Sequence, residues 1–253
     1  MSKKKPVASK KAKPSLSPAL FKTTGASVPI KVDDKKKRTF YFDAKITPEK
    51  AKNLAAKDGA EILGVSPDKV SVGAPSLKYD FYCVYDATMT VKFLRVRHQE
   101  ISVNEEVAGV AVGGSVLTPK KASDMPGKSV EIEIVELFEI TRKDSMVLDG
   151  TTGSPARSLE TLIKGAGKKP ATAAWISKAS VSPGKLNSVD NVVKELRSVA
   201  KAPKEAKRVV EHILQFTQLD GVYLPVYYVK VSAGQAFKVM RVNAVNGAVA
   251  LKV

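Results

Sequence analysis

Runs of β-branched and aromatic residues recur along this chain and constrain its fold more than any other feature. Tyr79 to Tyr85, Met89 to Val103, Val107 to Val112 and Val130 to Ile140 are rich in side chains that suit a pleated, half-buried surface. Asp86-Ala87, Asn104-Glu105 and Gly113-Gly114 punctuate them. The order Val-Glu-Ile-Glu-Ile over residues 130–134 alternates, as a strand with one wet face does. Thr39 to Ala44 and Val70 to Val72 add shorter strands, and Val222 to Val231, Ala236 to Val242 and Ala248 to Val253 close the chain. Asn246-Gly247 predicts a two-residue hairpin between the last two.

Helix signals interrupt these strands. Thr47 is a favourable N-cap, Pro48 suits the first helical position, and Ala51, Leu54, Ala55 and Ile62 share one face before Gly64. A second helix is expected over Val189 to Ala200, where Val189, Val192, Val193, Leu196 and Val199 recur at helical spacing. A third is expected from Pro203 to about Phe216, with Ala206, Val209, Val210, Ile213 and Leu214 inward. From about Asp149 to Pro183 the periodicity fades into Gly, Pro, Ser, Thr and Lys, apart from a short helix around Leu159 to Ile163, so the stretch reads as a linker.

The predicted fold class is therefore α+β: two small helix-plus-antiparallel-sheet modules with a disordered basic N-terminal arm. The arm covers residues 1–38, the first module 39–148, the linker 149–185 and the second module 186–253. Phe81-Tyr82-Cys83-Val84 and Lys92-Phe93-Leu94-Arg95-Val96 look like Val226-Tyr227-Tyr228-Val229 and Lys238-Val239-Met240-Arg241-Val242. Each set follows a helix expected to begin with proline, which suggests duplication of one module.

The C-terminal sheet, residues 204–253, resembles PepSY-like modules, in which a helix precedes an antiparallel sheet. The resemblance rests on Pro225-Val226-Tyr227-Tyr228-Val229-Lys230-Val231, Val239-Met240-Arg241-Val242-Asn243-Ala244 and Asn246-Gly247-Ala248-Val249. It implies a small sheet module for interaction. Such modules usually occur in exported or membrane-attached proteins, where they are associated with peptidase regulation. Here Pro-Val-Ala-Ser-Lys-Lys-Ala-Lys-Pro stands where a signal peptide needs an apolar run.

Charge narrows the choice of partner. The formal net charge is +17 and the sequence pI is near 9.8, so Coulomb attraction favours polyanions. Residues 1–38 hold twelve Lys/Arg against Asp33 and Asp34, with too few large apolar side chains to offset the entropy of ordering. Phosphate contacts are expected from Lys3, Lys4, Lys5, Lys10, Lys11, Lys13, Lys35, Lys36, Lys37 and Arg38. On the body, Lys92, Arg95 and Arg97 on one strand and Lys238 and Arg241 on the repeated strands extend that set, with Tyr82 and Tyr227 as stacking partners. Lysine offers mobile point charges that do not read bases, and the sequence has no RNP motif, KH loop or C₂H₂ finger. The expected function is binding of nucleic acid, DNA or RNA, in a role such as chromosome or ribosome association. The alternative is a structural or scaffolding protein whose sheet modules bind another protein.

Catalytic signals are absent, and neither a cofactor nor a metal is expected. Ala122 to Ser129 matches a permissive phosphate-loop pattern, but Ser129 leads into a strand where such a loop must open a helix. His98 and His212 are too few for a three-histidine zinc site, and Cys83 alternates with Phe81 and Tyr85 as a core residue does. Glu131, Glu133, Glu136 and Glu139 read as a solvated row, and Gly165 to Pro170 as a flexible basic segment. A lone cysteine fits a reducing compartment and no stretch has the length of a membrane span, so a cytoplasmic or, in a eukaryote, nuclear protein is expected.

Overall fold

The computed structural model describes residues 16–124 and 126–252. It is an α+β structure dominated by three long strands. In chain order the elements are β1 (Lys31–Asp33), β2 (Lys37–Tyr41), α1 (Pro48–Leu63), β3 (Ser71–Val72), β4 (Ser76–Val103), β5 (Val110–Val112), β6 (Ser115–Leu117), β7 (Lys120–Lys121) and β8 (Lys128–Asp149). There follow β9 (Ser154–Pro155), α2 (Glu160–Lys164), β10 (Lys169–Pro170), α3 (Ala173–Lys178), α4 (Val189–Val199), β11 (Arg208–Ala233), β12 (Ala236–Asn243) and β13 (Val249–Leu251). The main sheet runs β10-β2-β11-β4-β8-β7, while β5 and β6 form a separate hairpin.

Along one edge β11 receives three partners in turn. β1 pairs parallel at Ile213 to Gln215, β2 parallel at Leu219 to Tyr223, and β12 antiparallel at Val226 to Ala233. Pro225 falls between the second and third partners, where the N–H it lacks is not needed for either ladder.

Two compact units can be distinguished, each assembled from three stretches of chain. Of the described residues, unit 1 comprises 16–29, 91–124, 126–139 and 202–212; unit 2 comprises 30–90, 140–201 and 213–252. All three hydrophobic clusters consist of unit 2 residues. Strand alternation divides them between the two faces of the sheet. On one face Phe81, Cys83, Tyr85 and Tyr223 pack with Val189 and Val192 of α4 and with Trp175 of α3, and Tyr227, Val229 and Val231 pack with Ala51 and Ala55 of α1. On the other, Tyr82, Val84, Val222 and Leu224 pack with Phe42 and Ile163 of α2. Trp175 lies parallel to Tyr41 at 4.2 Å and edge-on to Tyr79 at 4.9 Å.

Helix α1 forms as its ends predict. Thr47 Oγ1 accepts from Lys50 N–H, and Gly64 closes the helix at φ 68°. Its buried face is Ala51, Ala55, Gly59 and Ala60, whereas Ile62 is exposed. A Cβ at Gly59 would lie 2.8 Å from Val231, so this glycine sets how closely the helix approaches the sheet.

Several expectations are corrected. The helix expected from Pro203 to Phe216 is the start of β11: His212, Leu214 and Phe216 are buried in strict alternation, and the β-branched residues prevail over an apparent helical spacing. The break expected at Asp86-Ala87 does not occur, because β4 runs through it. The two segments offered as one copy of a duplication, Phe81 to Val84 and Lys92 to Val96, therefore share one strand, while their counterparts lie on β11 and β12. The Asn246-Gly247 turn is longer than two residues, spanning Ala244 to Gly247 and closed by the Asn243 N–H to Ala248 bond. Residues 31–33 and 37–38 of the expected arm lie in strands, and the strand expected from Thr39 begins two residues earlier, since β11 pairs with both. Within the stretch expected as a linker, the short helix expected around Leu159 to Ile163 forms as α2, with Ile163 fully buried, and β10 and α3 are added to it.

Candidate nucleic-acid interface

The residues expected to meet phosphate fall into three settings. Lys3, Lys4, Lys5, Lys10, Lys11 and Lys13 lie outside the described residues, as do residues 1–15 of the segment 1–38 expected to be disordered. Lys35 and Lys36 are exposed in the turn between β1 and β2. Lys37 pairs with Asp190, and Arg38 forks onto Asp220 at 2.7 and 3.1 Å. Asp220 is almost wholly buried and also accepts from Gln218 Nε2 at 2.7 Å, so Arg38 serves as the counter-ion of a buried carboxylate.

In unit 1 the expected cations are matched by carboxylates. Lys92 lies 3.5 Å from Glu139 and 3.4 Å from Glu211. Arg95 donates from Nε and Nη2 to Glu136 Oε2 at 2.9 and 2.7 Å and stacks over Phe138, and Arg97 lies 3.5 Å from the other Glu136 oxygen. His98 sits 3.4 Å from Glu131. The glutamate row on β8 is thus the counter-charge of the basic row on β4. These pairs are open to water, where a competing phosphate meets an already neutralised surface.

In unit 2, Lys238 is exposed on β12, but Arg241 points inward to Asp80. Asp80 is fully buried on β4 and also accepts from the Tyr228 hydroxyl at 2.7 Å, while Arg241 reaches the Tyr82 hydroxyl at 3.4 Å. Burial alone would lower the Arg241 pKa; the charge and hydrogen bond of Asp80 outweigh it and raise it further. Burial, followed by the hydrogen bond to Asp80, pushes Tyr228 up to about 12. The tyrosines expected to stack on bases, Tyr82 and Tyr227, are buried in the core. Asp80 was missed by sequence reasoning; its one signal was an acid between apolar neighbours on a strand.

Other candidate groups also have structural settings. Cys83 is fully buried, and burial pushes its thiol up to about 12. His212 is buried on a strand. Lys128 and Ser129 open β8, the geometry that argues against a phosphate loop. Lys169 and Pro170 pair with β2, and Lys169 bonds Asp43 at 2.6 Å. Among the described residues no three His, Cys, Asp or Glu side chains are grouped to hold a metal, and no helix is long and apolar enough to cross a membrane.

The excess charge is unequally divided. The described residues of unit 1 hold ten Lys/Arg and ten Asp/Glu, whereas unit 2 holds twenty-six against fifteen. The first fifteen residues add six lysines and no acid. No family of proteins, no curated protein and no solved structure matches the chain.

Proposed function

We propose that this chain binds nucleic acid without performing chemistry on it, through phosphate contacts made mainly by lysine. The observation that carries this reading is the partition of charge: unit 2 and the first fifteen residues hold the whole net excess, and the described residues of unit 1 are balanced. Lysines outnumber arginines in both charged regions, which favours backbone contact over base readout. Lys35, Lys36 and Lys238, exposed and without carboxylate partners among the described residues, join the N-terminal lysines as the principal contacts.

The test is titration of duplex DNA, single-stranded DNA and structured RNA with the full chain and with a chain beginning at Leu16, at about 50 and 200 mM salt. Engagement of about 6 to 10 phosphates predicts a loss of 10³ to 10⁵ in affinity across that range. Loss of binding on shortening assigns it to the first fifteen residues; retention assigns it to unit 2. Absence of binding by both chains rejects the proposal. A protein-binding role is the second reading, favoured by Ile101, Val112 and Val116 of unit 1, which stay exposed. A stoichiometric protein partner lost on Val116→Asp would support it.

A further inference from the structure

Lys78 and Lys252 line one cavity of unit 2. It lies on the sheet face that carries Asp80, has a volume of about 190 Å³ and is also lined by Tyr228, Arg241, Thr151 and Thr152. The Lys78 and Lys252 ammonium groups lie 5.9 and 5.3 Å from the same Tyr228 ring centroid. Two like charges sharing one ring repel each other, and a ring quadrupole compensates only part of that cost. Among the described residues neither lysine has a carboxylate partner.

The acid bonded to two of the lining residues is already committed. Asp80 Oδ2 is held by Arg241 and Oδ1 by the Tyr228 hydroxyl. Counting Arg241 against Asp80 leaves the two lysines as a double positive charge facing the cavity. The backbone N–H groups of Thr151 and Thr152 bond Asp149 at 2.7 and 3.4 Å, so Asp149 is engaged by its own loop, whose two threonines line the cavity. Ammonium and hydroxyl donors around a double positive charge match a tetrahedral oxyanion with two charges.

We propose that this cavity binds a phosphate monoester dianion. A phosphodiester within a chain carries one charge and must leave the cavity on two sides, whereas a terminal phosphate leaves on one. The same group is presented by a small phosphorylated molecule or by the 5′ end of a nucleic acid. The inference goes beyond the polyanion reading and stands without it.

The experiment is calorimetric titration of the full chain with inorganic phosphate, adenosine 5′-monophosphate and dimethyl phosphate. It is repeated with single-stranded oligonucleotides bearing a 5′-phosphate or a 5′-hydroxyl. Lys78→Ala and Lys252→Ala remove the two charges, and Lys238→Ala removes an exposed lysine from outside the cavity. Both cavity lysines are at least partly exposed, and Lys→Gln at each position keeps the packing of the stem if alanine perturbs the fold.

Expected is saturable one-to-one binding of the monoesters, weakened about tenfold or more by each cavity variant and unchanged in Lys238→Ala. Dimethyl phosphate should bind at least about tenfold more weakly. A 5′-phosphate that strengthens oligonucleotide binding, and loses that advantage in Lys78→Ala, identifies a nucleic-acid end as the source. Binding confined to the small monoesters identifies a free phosphorylated molecule. Unsaturable binding, equal binding of dimethyl phosphate, or indifference to both cavity variants overturns the proposal. Failure of duplex DNA, single-stranded DNA and structured RNA to bind at all would instead remove the polyanion reading and leave this one in place.

Discussion

Units 1 and 2 handle charge in opposite ways. In unit 1 the cations of β4 stand across from carboxylates of β8 and β11, in pairs that water reaches. In unit 2 one arginine is drawn inward to a fully buried aspartate, while exposed lysines such as Lys35, Lys36 and Lys238 have no carboxylate partner among the described residues. The difference teaches that a row of basic residues says little about binding until its neighbours across the sheet are known. Arg95 and Arg241 look equivalent along the chain, yet one cancels a surface charge and the other neutralises an acid in the core.

The largest effect that sharpens this comparison should come from Arg241→Ala. Removing one member of a buried pair leaves Asp80 charged and desolvated, which costs about 3–5 kcal/mol. Urea unfolding should show the loss as a lower midpoint at unchanged slope. If Arg241→Ala costs no more than Arg95→Ala, the contrast between the two units fails.

A second test probes unit 2 by packing alone. Gly59→Ala drives a methyl group into Val231 at 2.8 Å and should cost about 1–3 kcal/mol, read as a lower thermal midpoint. A neutral outcome would mean that α1 can slide on the sheet.

Next comes alkaline pH. The folded state holds the Cys83 thiol neutral up to about 12, against 9.0 for the free group, and Tyr228 shifts in the same direction. The contribution is complete below about pH 9 and is lost as pH rises towards 12, because the unfolded chain releases these protons first. Stability should therefore fall through that window, and Cys83→Ala should flatten part of the fall.

The smallest effect should be that of Arg95→Ala in unit 1. Its partner Glu136 stays hydrated, so the change should cost at most about 1 kcal/mol and shrink further in high salt.

Local signals were legible wherever a single residue decides. Thr47, Pro48 and Gly64 fixed the ends of α1, and Ser188, which accepts from Asn191 N–H, begins α4 where the valine spacing placed it. What escaped was decided by partners distant in sequence. Val209, Val210, Ile213 and Leu214 satisfy helical and strand spacing about equally, and pairing elsewhere in the chain selects the strand: β1 at Lys31 to Asp33, Val28 donating to Val209, and β4, whose Leu94 accepts from Lys207. The short helix around Ile163 was legible, but not that this one residue of a five-residue helix would be buried. At the interface, lysine composition was visible, but the burial of Arg241 depends on Asp80, 161 residues away.

The succession of partners along β11 also sets an order of events during synthesis. β1 and β2 leave the ribosome long before the strand that completes them, with Lys31 waiting for Ile213 and Lys37 for Leu219. Closing such long loops is slow, and the early strands keep unsatisfied edges for most of translation. A chain interrupted before Arg208 lacks the strand that joins β1, β2, β4 and β12, so partial products are candidates for chaperone capture and degradation rather than smaller folded units.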